Sequence, residues 1–525
     1  MYPQRRRAIH GENQAHMASR RDQLNAYTFA KRRMLASFVQ SSPDGSEEGA
    51  PRPLRAVLPG ALVGVIIMAA FGAWGMFKPT APQGWNAVGE KVIIASKSTT
   101  RYVVLKTDGK VQLHPVLNMA SAKLLLKTGK GDVVTVDESI LDRGTIPRGV
   151  TIGIPYAPDR LPAASEAGSA KRWAVCERPS AGGGSIQKAA FVLASRDMDK
   201  TEGSKQKLAG GELLYVVGPD KTRYIVDASG TSYEVDKNDE LLLRTLVGSG
   251  RAPQRVSKEW LETLHQGDPI TFPKVEGKIG TAAGVQGSLS AEANKVGMVL
   301  KAPNGASEQY YLVEQGKVAP VSDFTAKLLL NSSDLVGLGQ AGTALDVSAG
   351  AFVPSTAGFA ADHTWPSRMP VPVNEADASD GHRNTVCNVL RDVDKGKGRT
   401  TLSTWAGTEF PATLPTGSSS AYVTPGSGQL YRQFQGEETT AGGVFLVTDT
   451  GLRYAMQSND DSATNDAGIG TTAKERKQLE QEARLAQISL GYSDVDPAPI
   501  PAAWSQFLPT GPRLSTSAAR QPQGS

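Results

Sequence analysis

The side chains that could carry out chemistry are scattered along this chain rather than grouped. The six histidines are His10, His16, His114, His265, His363 and His382. No two of them have the HxH or HExxH spacing that brings two imidazoles to one metal ion. The sequence also contains no GxSxG nucleophile elbow and no GxxxxGK[ST] phosphate loop. We therefore predict no metal site, no catalytic residue and no cofactor from these residues.

Two glycine-rich segments and one histidine have simpler interpretations than catalysis. The runs at 182–184 and 396–399 lack the strand–loop–Lys–Ser/Thr order that cradles phosphates, which favours surface loops. His114 stands directly before Pro115 inside a recurring pattern, which favours a packed turn residue. Nothing in these segments demands an enzyme.

An apolar run decides where the rest of the chain lies. Residues 56–77, AVLPGALVGVIIMAAFGAWGMF, contain no charge and stand between Arg55 and Lys78. As a helix, these 22 residues extend about 33 Å, enough to cross a hydrocarbon core of about 30 Å. A cleaved signal peptide is the alternative, but its apolar run spans only roughly 7–15 residues. Ten Lys and Arg precede the run, and positive charge favours the cytoplasm. We expect a single-pass cell-membrane protein with a cytoplasmic N-terminus and an extracytoplasmic bulk.

Two cysteines, Cys176 and Cys387, lie on the predicted extracytoplasmic side. Two cysteines in an oxidising compartment usually pair. The alternative, a reactive thiol or metal ligand, lacks a CxxC motif and a nearby histidine cluster. A bond between them would close a loop of about 210 residues and remove roughly 5 kcal/mol of unfolded-chain entropy.

The segment before the apolar run predicts one helix. Ser19 and Asp22 form a capping-box-like pair that opens it. Leu24, Tyr27 and Phe38 fall on one helical face with Met34 and Leu35. The helix is interpreted either as a solvated or lipid-associated amphipathic helix, or as a docking helix for a cytoplasmic partner. In the second case we expect the docking surface to comprise Leu24, Tyr27, Arg32, Arg33 and Phe38.

The net charge of +5 is small for this length, and the basic excess lies in the same N-terminal segment. It indicates membrane topology and contact with lipid headgroups rather than nucleic-acid binding.

Beyond the apolar run, short patterns recur and predict repeated units of strand, glycine turn, strand and short helix. TRYVV at 100–104 recurs as TRYIV at 222–226; GKV, PV and AKLLL at 109–111, 115–116 and 122–126 recur at 316–318, 320–321 and 326–330; GxxY at 230–233 recurs at 451–454; and Trp260, seven residues before Gly267, recurs as Trp504 before Gly511. The segments between the units each hold one cysteine, so we expect a central domain built from two distant stretches.

The predicted organisation therefore has eight parts. They are a cytoplasmic tail with an amphipathic helix (1–55), a transmembrane helix (56–77), repeat 1 (90–162), a central domain (170–215 with 355–438), repeat 2 (216–275), repeat 3 (290–352), repeat 4 (440–514) and a disordered tail (515–525). Residues 471–490 read as a charged, solvated helix with a weak apolar stripe at Leu479, Ala483, Ala486 and Leu490.

From Met17 onward these features closely resemble one family, EccB, the single-span core component of type VII (ESX-like) secretion systems of actinobacteria. The matching segments are SRRDQL at 19–24, PLR at 53–55, HPVLNMASA at 114–122, GIPYAPDRLP at 153–162, WAVC at 173–176, LGY at 490–492 and LPTGP at 508–512. Met1 and Met17 both remain candidates for the start. The resemblance implies an elongated extracytoplasmic α+β region, rich in β-strand repeats around a disulfide-linked central domain.

The resemblance also implies partners and a role. The expected partners are an EccC-type motor ATPase, an EccD-type multi-span subunit and a mycosin protease, in a multimeric membrane complex that exports small helical WXG-type proteins. The repeats have been likened to cell-wall-binding modules, which makes peptidoglycan an alternative partner. ATPase activity has been attributed to the family, and ATP would then be the cofactor, although this sequence offers no phosphate loop.

Overall fold

The computed structural model describes residues 19–39, 54–77, 81–180, 185–203, 205–377, 381–415, 420–456 and 473–523. The chain divides into two compact units, Met1–Thr80 and Ala81–Ser525.

The first unit contains two helices, α1 (Arg20–Val39) and α2 (Leu54–Phe77). The predicted capping box opens α1, because the Ser19 nitrogen donates to Asp22 Oδ2 at 3.2 Å and the Asp22 nitrogen donates to Ser19 Oγ at 3.3 Å. Helix α2 includes Val57–Trp74, an 18-residue stretch of mean hydropathy 2.1 with none of it buried. By length and composition, this is the one candidate membrane span among the described residues.

The second unit begins with a four-stranded sheet, which we call sheet 1. Its elements are β1 (Lys91–Ala95), β2 (Arg101–Thr107), β3 (Lys110–Val116), α3 (Met119–Leu124), β4 (Asp132–Val136) and α4 (Glu138–Leu141). Strands β1, β2 and β3 form an antiparallel meander, and β4 pairs in parallel with β1. Asn118 begins α3 by accepting a hydrogen bond from the Ser121 nitrogen at 3.0 Å.

The chain next forms part of a central sheet and then sheet 2. The first part comprises α5 (Ala164–Gly168), β5 (Arg172–Pro179) and β6 (Ile186–Leu193), followed by a 3-10 helix at Ser195–Thr201. Sheet 2 contains β7 (Glu212–Val217), β8 (Arg223–Asp227), β9 (Thr231–Val235), α6 (Glu240–Val247), β10 (Gln254–Arg255), α7 (Lys258–Leu261) and β11 (His265–Gln266). Strands β7 to β9 are antiparallel, while β10 pairs in parallel with β7 and β11 with β9.

Sheet 3 repeats this arrangement and is followed by the remaining strands of the central sheet. Sheet 3 contains β12 (Val299–Asn304), β13 (Ser307–Glu314), β14 (Lys317–Val321), α8 (Asp323–Asn331) and β15 (Leu345–Asp346), with 3-10 helices at Ser333–Leu338 and Ala349–Ala351. Strand β16 (Val371–Pro372) then adds to β7 of sheet 2. Strands β17 (Thr385–Val393), β18 (Thr400–Gly407) and β19 (Ala421–Val423) complete the central sheet, whose order is β18-β17-β5-β6-β19.

Sheet 4 is the last sheet along the described chain. Its elements are β20 (Gly428–Phe434), β21 (Val444–Thr448), β22 (Arg453–Ala455), α9 (Ala473–Leu490), β23 (Ala498–Pro501) and α10 (Ala502–Ser505), followed by α11 (Thr516–Ala519). Strand β20 belongs to this sheet by pairing with β21 and β23, although the sequence prediction placed residues up to 438 in the central domain.

Sheets 1 to 4 share one topology, an antiparallel meander whose first strand also pairs in parallel with a later strand. The recurring sequence patterns fall at matching places in it. TRYVV and TRYIV lead into the second strands, β2 and β8, and the two GKV patterns lead into the third strands, β3 and β14. The short patterns therefore mark equivalent strands of related sheets.

A glycine packs against an aromatic ring at the same place in three of these sheets. The pairs are Gly149 with His114, Gly267 with Tyr233, and Gly511 with Tyr454. Each glycine nitrogen donates to the carbonyl before the ring residue, at 2.8 to 3.0 Å, and a Cβ on the glycine would lie 2.3 to 2.5 Å from a ring atom. In sheet 3 the same hydrogen bond comes from Ser355, at 2.7 Å to Val318. The residue after Val318 is Ala319, so the ring and the glycine are replaced together.

Sheets that are distant in the sequence share apolar cores. Sheets 1 and 4 meet in one core that contains Val103 and Leu446. Sheet 4, the central sheet and sheet 2 meet in a second, which contains Val175 and Trp260. Sheets 2 and 3 meet in a third, where Phe324 of α8 is buried. Sheet 1 therefore packs on sheet 4 and sheet 3 packs on sheet 2, while sheets 2 and 4 share a core with the same face of the central sheet.

Two predictions for the C-terminal region are wrong. Helix α9 is not fully solvated, because Ala483, Ala486 and Leu490 are buried in the core shared by sheets 1 and 4, where the small alanines allow close packing on α3. Leu479 has no described side-chain environment. The tail at 515–525 is not disordered over its described part, since residues 515–523 form α11 and its flanks, and Ala519 is completely buried.

Candidate functional site

The predicted disulfide is confirmed and lies at the centre of the central sheet. Cys176 on β5 and Cys387 on β17 are directly paired residues of antiparallel strands, with their Cα atoms 4.0 Å apart, and their sulfurs are bonded. Both residues are completely buried, in an apolar cluster with Phe191 and Trp405. The bond therefore joins two strands that are separated by 211 residues of sequence.

A charged network also joins these two strands at one end of the pair. Glu202 accepts hydrogen bonds from Arg172 on β5, from Arg391 on β17 and from Lys207, the last at 2.9 Å. Partial burial by itself raises the pKa of Glu202, but the hydrogen bonds and positive charges of Lys207 and Arg391 outweigh it and hold the pKa at about 2. Glu202 is therefore ionised at neutral pH and joins the strands by ion pairs.

A buried carboxylate links the central sheet to sheet 2. Glu177, next to Cys176 on β5, accepts a hydrogen bond from the Ser257 nitrogen at 2.7 Å and another from the Ser257 hydroxyl. Ser257 is the N-cap of α7, whose Trp260 is completely buried in the shared core. Burial raises the pKa of Glu177, against the lowering effect of the hydrogen bonds from Ser257. This link was not visible in the sequence, apart from Ser257 as a helix-capping residue.

Each described histidine contacts other residues of the protein. His114 is buried as predicted, but it lies in strand β3 rather than in a turn, with Nε2 3.0 Å from Thr107 Oγ1 and Nδ1 2.9 Å from the Val150 carbonyl. His265 contacts Thr400 Oγ1 at 2.7 Å, and burial lowers its pKa. His363 stacks on Trp365 at 4.3 Å beside a cavity of about 410 Å³. His382 lies 2.9 Å from Glu375, while His10 and His16 lie outside the described residues.

The glycine-rich run at 396–399 is a hairpin turn. The Gly398 nitrogen donates to the Asp394 carbonyl at 2.8 Å, and the Gly396 nitrogen donates to Asp394 Oδ1 at the same distance. The nitrogens of Gly396 and Gly398 are therefore used within the turn between β17 and β18. The run at 182–184 lies outside the described residues. Among the described residues, no three His, Cys, Asp or Glu side chains are grouped as a metal site.

The predicted docking residues lie on α1 and are exposed to solvent. Leu24, Tyr27 and Phe38 are 62%, 67% and 93% exposed. At 3.6 residues per turn, Tyr27, Phe38 and Arg32 lie within about 80° of Leu24 around the helix axis, whereas Arg33 lies about 180° away. The helix thus brings four of the five residues towards one side and places Arg33 on the other.

These features define a class of protein. One candidate membrane helix precedes a folded region that contains four sheets of the same topology and a central sheet in which a buried disulfide joins two neighbouring strands. The model of the family described as type VII secretion system ESX-1, transport TM domain B, matches residues 16–524. The chain belongs to this family, the EccB family, and is a membrane component of a type VII secretion system.

Curated relatives support the assignment over most of the chain. ESX-3 secretion system ATPase EccB3 of Mycolicibacterium smegmatis is 26% identical over 470 residues, which are 86% of this chain and 85% of that protein. ESX-1 secretion system ATPase EccB1 of Mycobacterium tuberculosis is 26% identical over 352 residues, or 66% of this chain and 67% of the relative.

Solved structures show the same fold. A chain of an intact ESX-5 inner membrane complex matches with a TM-score of 0.57 and 19% identity, covering 98% of both chains. The EccB3 dimer from the ESX-3 core complex matches with a TM-score of 0.54 and 22% identity, covering 82% of this chain and 99% of the other.

Proposed function

We propose that this protein is a structural subunit of a type VII secretion membrane complex, in which it anchors the inner-membrane machine and extends into the envelope to support export of small WXG-type proteins. The observation that carries the proposal is the family match over residues 16–524, together with the same fold in a chain of an ESX-5 inner membrane complex. Related sheets with shared cores, closed by a disulfide, fit a rigid supporting role.

The complex can be tested directly. A tagged chain in its native host is solubilised in mild detergent, separated on a native gel and identified by mass spectrometry. A megadalton-scale particle with EccC-type and EccD-type proteins supports the proposal. A lone particle near the mass of one or two 55.5 kDa chains, under conditions that keep other complexes whole, contradicts it.

The proposed topology places the N-terminus in the cytoplasm and residues 81–525 outside. The support is the basic excess before α2 and the disulfide in the second unit, since such bonds persist in oxidising compartments. Reporters joined to the N-terminus and, in a second fusion, to the C-terminus of the full chain test it. Alkaline phosphatase activity only from the second fusion is expected, and the reverse result contradicts the topology.

We also propose that α1 docks onto a cytoplasmic partner of the complex, through the side that carries Leu24, Tyr27 and Phe38. These are large apolar side chains that the described residues of the first unit leave uncovered, which is the composition of interface anchors. Arg32, at the border of this side, suits an acidic neighbour. By helix geometry Arg33 takes no direct part in the contact.

A matched aromatic residue provides the control. Phe29 is 56% exposed on α1 but lies about 140° from Leu24 around the axis. We expect Tyr27→Ala and Phe38→Ala to reduce recovery of EccC-type and EccD-type proteins about tenfold, and Phe29→Ala to leave it unchanged. Deletion of residues 17–40 should release the protein from the complex but leave it in the membrane. An intact complex after that deletion contradicts the docking role.

Curated relatives carry the word ATPase in their names. For this chain we propose a role without ATP hydrolysis, since it has no GxxxxGK[ST] loop and its 396–399 run is a closed turn. Purified full-length protein should hydrolyse ATP no faster than a mock preparation. Turnover above the mock that survives repurification contradicts this proposal without affecting the secretion role.

A further inference from the structure

Sheet 2 contains a pocket lined by three arginines, which we call the arginine pocket. It has a volume of about 580 Å³, and its polar lining includes Arg223, Arg244, Arg251 and Glu240, with Tyr215 and Ser249. Arg223 comes from β8, Arg244 from α6, and Arg251 from the loop after α6. Three separate segments therefore each contribute an arginine to the lining of one cavity.

Two of these arginines are held by neutral oxygens. Arg223 donates to the Tyr215 hydroxyl at 3.2 Å. Arg251 donates to the carbonyls of Pro372 and Asn374, at 3.2 and 2.9 Å. These contacts fix the side chains without neutralising them. Throughout the described ranges, no carboxylate oxygen lies within 4.0 Å of a guanidinium nitrogen of Arg223, Arg244 or Arg251.

The loop at the mouth of the pocket is also fixed in shape. Gly248 ends α6 and Gly250 follows two residues later, with φ of 86° and 74°, a left-handed conformation that other residues adopt only with strain. The Gly248 nitrogen donates to the Arg244 carbonyl at 3.1 Å. Ser249 is thereby held at the wall of the pocket, with a hydroxyl that can donate to a bound oxygen.

We propose that the arginine pocket binds a phosphate ester. Three positive charges against the one negative charge of Glu240 leave a formal excess of two, which matches a phosphate monoester of about −1.5 to −2 better than a single carboxylate. Guanidinium groups bind phosphate oxygens in pairs of parallel hydrogen bonds. The cavity falls in the range of about 300–1,000 Å³ typical of small-ligand sites, so it has room for the organic part of the ester. The phosphate can belong to a soluble monoester or to the monoester headgroup of phosphatidic acid.

The test is calorimetric titration of the full chain, held in nanodiscs of phosphatidylcholine at low ionic strength, with glycerol 3-phosphate. Wild-type protein should bind saturably. Arg244→Gln should weaken binding at least about tenfold, in line with loss of one charge-assisted contact. Arg255→Gln is the matched control, because Arg255 is exposed on β10 of the same sheet and does not line the pocket. Its affinity should stay within about twofold of wild type.

A gain of binding provides a second measurement that misfolding cannot produce. Glu240→Gln removes the negative charge from the pocket and should strengthen binding several-fold. Repetition in nanodiscs that contain phosphatidic acid separates the two sources. A lower apparent affinity that depends on Arg244 identifies the lipid headgroup, and an unchanged affinity identifies a soluble ester.

Either of two results overturns the proposal. One is the absence of saturation up to about 10 mM, which is weaker than specific recognition requires. The other is equal affinity in Arg244→Gln and Arg255→Gln. Neither result bears on the proposed role in secretion, which is measured by the composition of the complex.

Discussion

Removal of the disulfide should weaken the second unit by several kcal/mol. The bond closes a loop of 211 residues, and by the loop-entropy relation a closed loop of that size raises the free energy of the unfolded chain by about 5 kcal/mol. In Cys176→Ala with Cys387→Ala, the two lost sulfurs also leave small voids in a completely buried cluster, at about 1 kcal/mol each. We therefore expect a loss of about 5–7 kcal/mol of unfolding free energy.

Urea unfolding of the full chain in detergent, followed by tryptophan fluorescence, measures this change. The matched control is wild-type protein unfolded and refolded in reductant, because it lacks the bond but keeps both sulfur atoms. It should account for about 5 kcal/mol of the loss. The oxidised chain should also show the smaller dependence on urea, since a cross-linked unfolded state exposes less surface.

The same cysteines provide a kinetic check. Both are completely buried, so thiol labelling after addition of reductant should follow the unfolding curve rather than precede it. A loss below about 1 kcal/mol on reduction, or complete reduction of the native protein before any unfolding, refutes the argument that the closed loop stabilises the fold.

Three further predictions concern single residues. Gly267→Ala should cost about 1–3 kcal/mol, because its Cβ would lie 2.4 Å from the ring of Tyr233; Gly337→Ala, which meets nothing within 4 Å, should be near neutral in the same thermal-unfolding assay. Glu202→Gln should remove a loss of stability that wild type shows as pH falls from about 4.5 towards about 2, since the folded pKa is lowered and the unfolded state takes up the proton first. Glu177→Gln should remove a loss of stability that wild type shows as pH rises above about 4.5, because the folded pKa of Glu177 is raised and the unfolded state releases the proton first. Denaturant midpoints measured across pH 2–8 check both glutamate predictions. If the midpoints of a variant and of wild type run parallel with pH, the corresponding pKa assignment is wrong.

Local patterns in the sequence predicted local features well. The capping box at Ser19 and Asp22 depends only on residues three apart, and its hydrogen bonds are present. The cysteine pairing followed from there being two cysteines on one side of a candidate membrane span. The recurring patterns mark matching strands because each is a strand with its own turn.

Features that depend on distant packing were not predicted. The sequence of helix α9 is rich in charged residues, which predicts a solvated helix. Its burial depends on α3, more than 300 residues earlier, whose alanines pack against it. The tail at 515–523 has a composition typical of disorder, but Ala519 enters the core shared by sheets 1 and 4. The arginine pocket was equally hidden, since Arg223 and Arg251 lie on different elements and only the folded sheet brings them together.

The position of the disulfide also determines how the chain would carry mechanical tension. A pull applied to its two ends enters the central sheet along β5 and leaves along β17, and the bond between Cys176 and Cys387 connects these strands directly. The load bypasses every residue between them, including sheets 2 and 3. Without the bond, 211 residues could be drawn out to about 700 Å at roughly 3.3–3.6 Å per residue. With the bond in place, sheets 2 and 3 carry no tension while the rest of the chain is stretched.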